Sequence, residues 1–214
     1  MKNEFTKRIL SSIILIPLLA FFTIKSLDLF ILFLFIVFLI SFYEWIKMSK
    51  KIYLILIGFI FLFFSFYSAY SIRLENLIYF LFIISICIST DIGGYIFGKL
   101  FKGPKLTKIS PNKTYSGMLG SFFLAIVTSF FFVSKFNLSY INNHDFNENM
   151  FFLLFTLLIS LVSQIGDLII SFFKRYSKIK DTGKIFPGHG GILDRIDGMI
   201  FVFPFVYFFT NILR

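Results

Sequence analysis

Apolar runs of bilayer length, repeated along the chain and parted by short polar stretches, leave few folds open. A helix needs about 20 predominantly apolar residues to cross a hydrocarbon core. Seven segments of the 214-residue chain approach that measure, at 9–24, 27–46, 52–72, 77–98, 117–135, 150–173 and 195–213, the first of them short. In lipid the backbone must satisfy its own polar groups, which a helix does within one segment. The expectation is an all-α polytopic membrane protein of about seven transmembrane helices. It forms one membrane domain over 1–214, with N-terminal spans up to residue 89 and the polar loops in 90–213. A composition of 57% hydrophobic and 15% charged residues departs from soluble domains in the same direction.

Several features close off other readings. Cys87 is the sole cysteine, so no disulfide framework forms within the chain. The 35 phenylalanines read as packing and lipid-facing residues rather than an aromatic box. Lys2, Lys7 and Arg8 before Ile9–Ile24 look like the start of a signal peptide. No A-x-A-like site follows and further spans come after, so this segment reads as a retained first helix.

A net charge of +10 raises nucleic acid as a partner. The cations sit instead in short clusters between apolar segments, as topology signals and anchors for anionic lipid or phosphate. Seventeen of them fall in the N-terminus and the second, fourth and sixth loops. Only Lys25, Arg73, Lys135 and Arg214 fall on the other side. The expected orientation is a cytoplasmic N-terminus, an external C-terminus and both large polar loops in the cytoplasm, in the inner (cytoplasmic) membrane of the cell. The 137–149 loop reads as a plain external connector. No internal repeat and no soluble domain is evident.

Chemistry then belongs to two constellations. The first runs from Asp91 to Gly117. Asp91 is a carboxylate inside an apolar stretch, a costly placement that usually faces a polar cavity. Gly93, Gly94 and Gly98 leave room for close helix packing or a ligand. The plain alternative is a buried Asp91 satisfied by Ser89, Thr90 or Tyr95. In the loop beyond, Ser110, Lys113 and Thr114 around the turn-forming Pro111 would suit phosphate oxygens.

The second constellation runs from Gln164 to Asp197. Asp167, Ser171 and Lys174 share one helical face leading from the membrane to a basic loop. A direct Asp167–Lys174 pair would span about two turns, roughly 10 Å, and would be strained. Between Ser171 and Asp197 lie six cations, three carboxylates, one histidine and the turn Pro187-Gly188-His189-Gly190-Gly191. Such a turn lets backbone N–H groups curl around an anion, and His189 could donate to phosphate or move a proton. Asp194 and Asp197 are three apart and could hold a divalent ion together, or merely complement a helix N-terminus. Phosphates plus metal at a membrane surface point to phosphoryl or nucleotidyl chemistry on a lipid.

The stretch Ser171–Asp197 resembles the signature of the CDP-diglyceride synthetase (phosphatidate cytidylyltransferase) family. The pattern's fixed positions are all met: Ser171, Lys174, Arg175, Lys180, Asp181, His189, Gly190, Gly191, Asp194, Arg195 and Asp197. Asp91–Tyr95 and Ser110–Thr114 resemble two further family elements, in the right order. The likeness covers roughly 90–213. Two positions depart from it: Ile170 stands where members usually have Glu, and Gly198 where they usually have Ser. The chain is also shorter than usual, by its N-terminal side.

The resemblance implies the reaction of CTP with phosphatidic acid to give CDP-diacylglycerol and pyrophosphate. It also implies Mg²⁺, a second monovalent cation such as K⁺, and a homodimer. Joined to the residues, it gives an expected site. Asp167, Asp194 and Asp197 hold the metal. Lys174, Arg175, Arg195, His189 and the Gly188–Gly191 turn meet the triphosphate. Ser110, Lys113 and Thr114 close the site from the other loop, and phosphatidic acid enters near Asp91. Ser171, Lys180 and Asp181 complete the substrate-binding set. The rival readings are an ion-coupled transporter using Asp91 and Asp167, and a CTP-dependent lipid kinase.

Overall fold

Polar caps cut the apolar sequence into helices. The computed structural model of the chain describes residues 21–107, 110–111, 113–136, 146–183 and 190–212. Helix α1 (Leu27–Met48) opens at Ser26, whose Oγ accepts the Leu29 N–H at 3.2 Å. That bond satisfies one of the donors a helix start leaves orphaned. Asn76 does two jobs. Its N–H closes α2 (Ile52–Glu75) on the Ile72 carbonyl, and its Oδ1 accepts Tyr79 N–H at 3.0 Å to open α3 (Leu77–Phe101). Helices α4 (Tyr115–Phe136) and α5 (Phe146–Tyr176) follow. Among the described residues there is no strand; an isolated bridge joins Lys105 and Thr114.

Five of these helices are long and apolar enough to cross a membrane, which makes the chain an all-α polytopic membrane protein. They coincide with the second to sixth predicted segments within a few residues. Most of the first predicted segment, 9–24, and most of the 137–149 connector lie outside the described residues; the described part of the former, 21–24, is helical.

The last segment differs from expectation. In place of one span over 195–213 there is a four-residue helix, α6 (Leu193–Ile196), a turn at Asp197–Gly198, and α7 (Met199–Ile212). The cause is local. The Asp197 Oδ1 accepts the Gly198 N–H at 3.0 Å, a side-chain bond that competes with the helical ladder. Gly198 meanwhile lies so close to α5 that a Cβ there would stand 2.4 Å from Ser163 Oγ. At 14 residues α7 covers about 21 Å, short of a full hydrocarbon core.

Packing is tightest between α3 and α4. A Cβ on Gly93 would lie 2.4 Å from the Gly120 carbonyl oxygen, so the two backbones touch. The small residues in α3 therefore serve helix packing, in the manner of membrane small-xxx-small pairs. Gly93→Ala is expected to destabilise the fold by about 1–3 kcal/mol, because a rigid backbone atom must move. Thermal unfolding in detergent reads this directly, and an unshifted transition would contradict it.

Hydroxyls join this pair to its neighbours. Thr90 donates to Ser160 Oγ at 2.9 Å, Ser121 to the Thr90 carbonyl at 2.7 Å, and Thr156 to Ser129 at 3.2 Å. Two apolar clusters fill the rest. One gathers Phe30, Phe82, Ile159 and Val202 in mid-bundle. The other packs Trp45, Met48, Leu62, Ile170, Leu193 and Ile200 beneath the polar end of the molecule.

Candidate active site

Charge from four elements meets at one end of the bundle. Helix α5 carries Asp167, Ser171 and Lys174 along one face, as their spacing predicts, and Ser171 Oγ donates to Asp167 Oδ1 at 3.3 Å. The partner of Asp167 is not Lys174 but Lys113, which arrives from the α3–α4 connection with Nζ at 2.5 Å from Oδ2. Lys174 instead pairs with Asp194 on α6 at 2.8 Å, and both side chains are buried.

Asp197 is 8% exposed and hydrogen-bonds to the carboxyl of Asp167, with Asp91 also within electrostatic reach. Asp91, on α3, is exposed yet feels Asp167, Lys113 and Arg195. Two of the three hydroxyls expected to satisfy it locally are otherwise engaged: Ser89 donates to the Ile86 carbonyl and Thr90 to Ser160.

Asp194 is the hub of the adjoining loop. Its Oδ1 takes Lys174. Its Oδ2 accepts from Thr182 N at 2.8 Å, Thr182 Oγ1 at 3.0 Å and Gly191 N at 2.9 Å. Burial pushes this carboxyl up, but the Lys174 ammonium and the backbone donors of Gly191 and Thr182 outweigh it. Its pKa lies below the ordinary carboxylate value. Gly190 beside it has φ +85°, and a Cβ there would sit 2.4 Å from Asp194 Oδ2. Strain and space both reserve this position for glycine.

Other expected site residues make contacts of their own. Arg175 is exposed and donates to the Ile179 carbonyl at 3.2 Å. Lys180 and Asp181 are exposed, Asp181 lying against Gly190. Thr114 caps α4, its Oγ1 accepting Gly117 N–H at 3.1 Å. The Ser110 N–H donates to Thr107 Oγ1. Gly188 and His189 lie outside the described residues. Both departures from the family pattern fall in close packing: Ile170 is buried against the Trp45 cluster, and Gly198 against Ser163.

Sequence reasoning missed Glu44. This α1 residue is 2% exposed, and its carboxylate accepts Ile192 N at 3.0 Å, Leu193 N at 2.8 Å and Thr182 Oγ1 at 2.9 Å. The available signal was a lone carboxylate near the end of an apolar run, with Lys47, Lys50 and Lys51 just after it.

The donor chemistry of the cluster fits a hard divalent cation, since Asp91, Asp167 and Asp197 offer only oxygen. Among the described residues no group of three or more His, Cys, Asp or Glu side chains is arranged as a ready cage.

Comparison with known proteins adds the family. The phosphatidate cytidylyltransferase of Staphylococcus aureus (strain COL) is 45% identical over 134 residues, covering 62% of this chain and 48% of that protein. That of Bacillus subtilis (strain 168) is 43% identical over 136 residues, covering 62% and 47%. The Staphylococcus haemolyticus (strain JCSC1435) protein of the same name is 42% identical over 137 residues, covering 62% and 48%. The matched stretch thus spans about half the length of these relatives. The sequence model of the cytidylyltransferase family matches residues 49–213, which leaves out α1 but takes in α2 to α7 and every charged residue of the cluster. On that match, the chain belongs to the cytidylyltransferase family.

Proposed function

We propose that this protein transfers CMP from CTP to phosphatidic acid, giving CDP-diacylglycerol and pyrophosphate. The observation that carries the reading is the meeting of Lys113, Asp167, Lys174, Asp194 and Asp197, from both polar loops, at one end of a membrane bundle. Family membership and the relatives' names support the same chemistry. The orientation that goes with it has this end, and the N-terminus, in the cytoplasm of a bacterial cell membrane, as the cation asymmetry indicates.

The lipid phosphate is already a nucleophile at neutral pH, so the task is to bring two polyanions together. Lys113 and Arg195 supply positive charge to the approaching phosphates. Lys174, fixed by Asp194, holds its ammonium beneath them. Asp167 and Asp197 would hold Mg²⁺, with Asp91 close by. Asp194, the third carboxylate of the expected ligand set, has both oxygens engaged and serves the loop. When bound, Mg²⁺ supplies charge neutralisation at the CTP phosphates. Arg175, Lys180, Asp181, Ser110 and Thr114 serve CTP, and the Gly188–Gly191 turn with His189 belongs to the same proposed set on the strength of the sequence signature. The tails of phosphatidic acid stay in lipid beside Asp91. A monovalent cation such as K⁺ and a homodimer belong to this reading as well.

The test is a product assay on the purified chain in detergent with CTP, phosphatidic acid and Mg²⁺. The expected products are pyrophosphate and CDP-diacylglycerol in equal amounts. CDP with a phosphorylated lipid would mean a kinase, and neither product would overturn the reading.

A further inference from the structure

Glu44 is a buried carboxylate that the reaction above does not use. No cation pairs with it among the described residues. Its compensation is three donors from one distant stretch: Thr182 Oγ1, Ile192 N and Leu193 N, at 2.8–3.0 Å. A buried carboxylate is tolerable only while such donors are in place. Carboxylate and loop therefore hold each other.

Both stems of the segment between Gly183 and Gly191 converge on this side chain. A Cβ at Gly183 would lie 2.5 Å from Glu44 Oε1, and one at Gly191 would lie 2.3 Å from either oxygen. A carboxylate locked by three hydrogen bonds does not yield easily, so glycine is what both stems permit. The enclosed residues include His189 of the signature turn.

The clamp continues into the site through Thr182. Its hydroxyl lies 2.9 Å from Glu44 Oε2 and 3.0 Å from Asp194 Oδ2, and one proton serves both acceptors. Asp194 in turn fixes Lys174.

We propose that Glu44 is a positioning residue: by clamping both stems of the 183–191 segment it sets Asp194, and through it Lys174, in register for the nucleotide phosphates. The inference rests on the cytidylyltransferase reading for its kinetic consequence, but not for the clamp itself.

Two measurements on the full chain in detergent test it. Glu44→Gln keeps the volume but turns an amide N–H₂ toward a backbone donor. Amide hydrogen exchange in peptides covering 190–195 is expected to rise about tenfold or more, with α4 peptides unchanged. The KM for CTP is expected to rise about tenfold or more, with the KM for phosphatidic acid within about twofold. Gly183→Ala leaves Glu44 in place but displaces its carboxylate. It is expected to reproduce both effects, and it decides the matter if Glu44→Gln does not fold. Unchanged exchange would overturn the clamp. Raised exchange with an unmoved KM for CTP, or an equal rise for both substrates, would overturn the positioning role. If the unaltered chain gives no CDP-diacylglycerol, the cytidylyltransferase reading fails, and the exchange measurement still decides the clamp.

Discussion

Asp197→Asn is expected to lower turnover by about a thousandfold, and Asp167→Asn by a similar factor. Each change keeps the shape of the side chain and removes one negative charge from a cluster in which Asp91, Asp167 and Asp197 feel one another. On the proposed reading these two carboxylates fix the divalent ion. Losing one costs about 4 kcal/mol of transition-state stabilisation, which is about three orders of magnitude in rate. Initial rates of pyrophosphate release at saturating CTP and Mg²⁺ provide the measurement. The loss should appear mainly in kcat, since the charge matters most where two polyanions meet. Rates within about tenfold of the unaltered chain for both variants would dismiss the assignment.

The second large effect concerns stability. Asp194→Asn leaves the Lys174 ammonium buried without its partner, and offers one carbonyl oxygen where Thr182 and Gly191 had a carboxylate. Breaking a buried pair from one side costs about 3 kcal/mol or more. For a chain of this size that is a fall in Tm of roughly 6–12 °C. Lys174→Met combined with Asp194→Asn should recover part of the loss, because it removes the orphaned charge as well as its partner.

The pH dependence follows from the lowered pKa of Asp194. Its contribution is complete above the ordinary carboxylate range and disappears as pH falls through the depressed value. The Asp194→Asn variant should therefore show a shallower acid limb in its stability profile. A Tm within about 1 °C of the unaltered chain would show that the pair stabilises nothing.

What the chain discloses before folding is uneven, for physical reasons. The five long helices were legible because lipid imposes one length on every span, whatever the side chains do. Asp91 and Asp167 were legible because a carboxylate in an apolar run is costly and so informative. Helical spacing placed Ser171 over Asp167 correctly, since that is a local matter. Pairing across elements was not local. Nothing in the spacing sends Lys113 rather than Lys174 to Asp167, or reserves Lys174 for Asp194.

Glu44 was hidden for a related reason. A single acid beside Lys47, Lys50 and Lys51 reads as charge balance at a span end. Its three donors lie more than 130 positions away in the chain. The interruption at Asp197 was hidden because the apolar run resumes at once, while the cause is a bond from a side chain to the next N–H.

The contact of α3 with α4 also bears on how this molecule moves. Where Gly93 meets Gly120 there are no side chains to slide or re-rotamerise, so the two helices cannot shear past each other. Asp91 on α3 is therefore held in fixed register with α4, whose start lies two residues beyond Lys113. The seam between that pair and α5 is tied differently, by the Thr90–Ser160 hydroxyl bond and the Lys113–Asp167 ion pair, so relative movement there would have to break polar contacts rather than backbone packing.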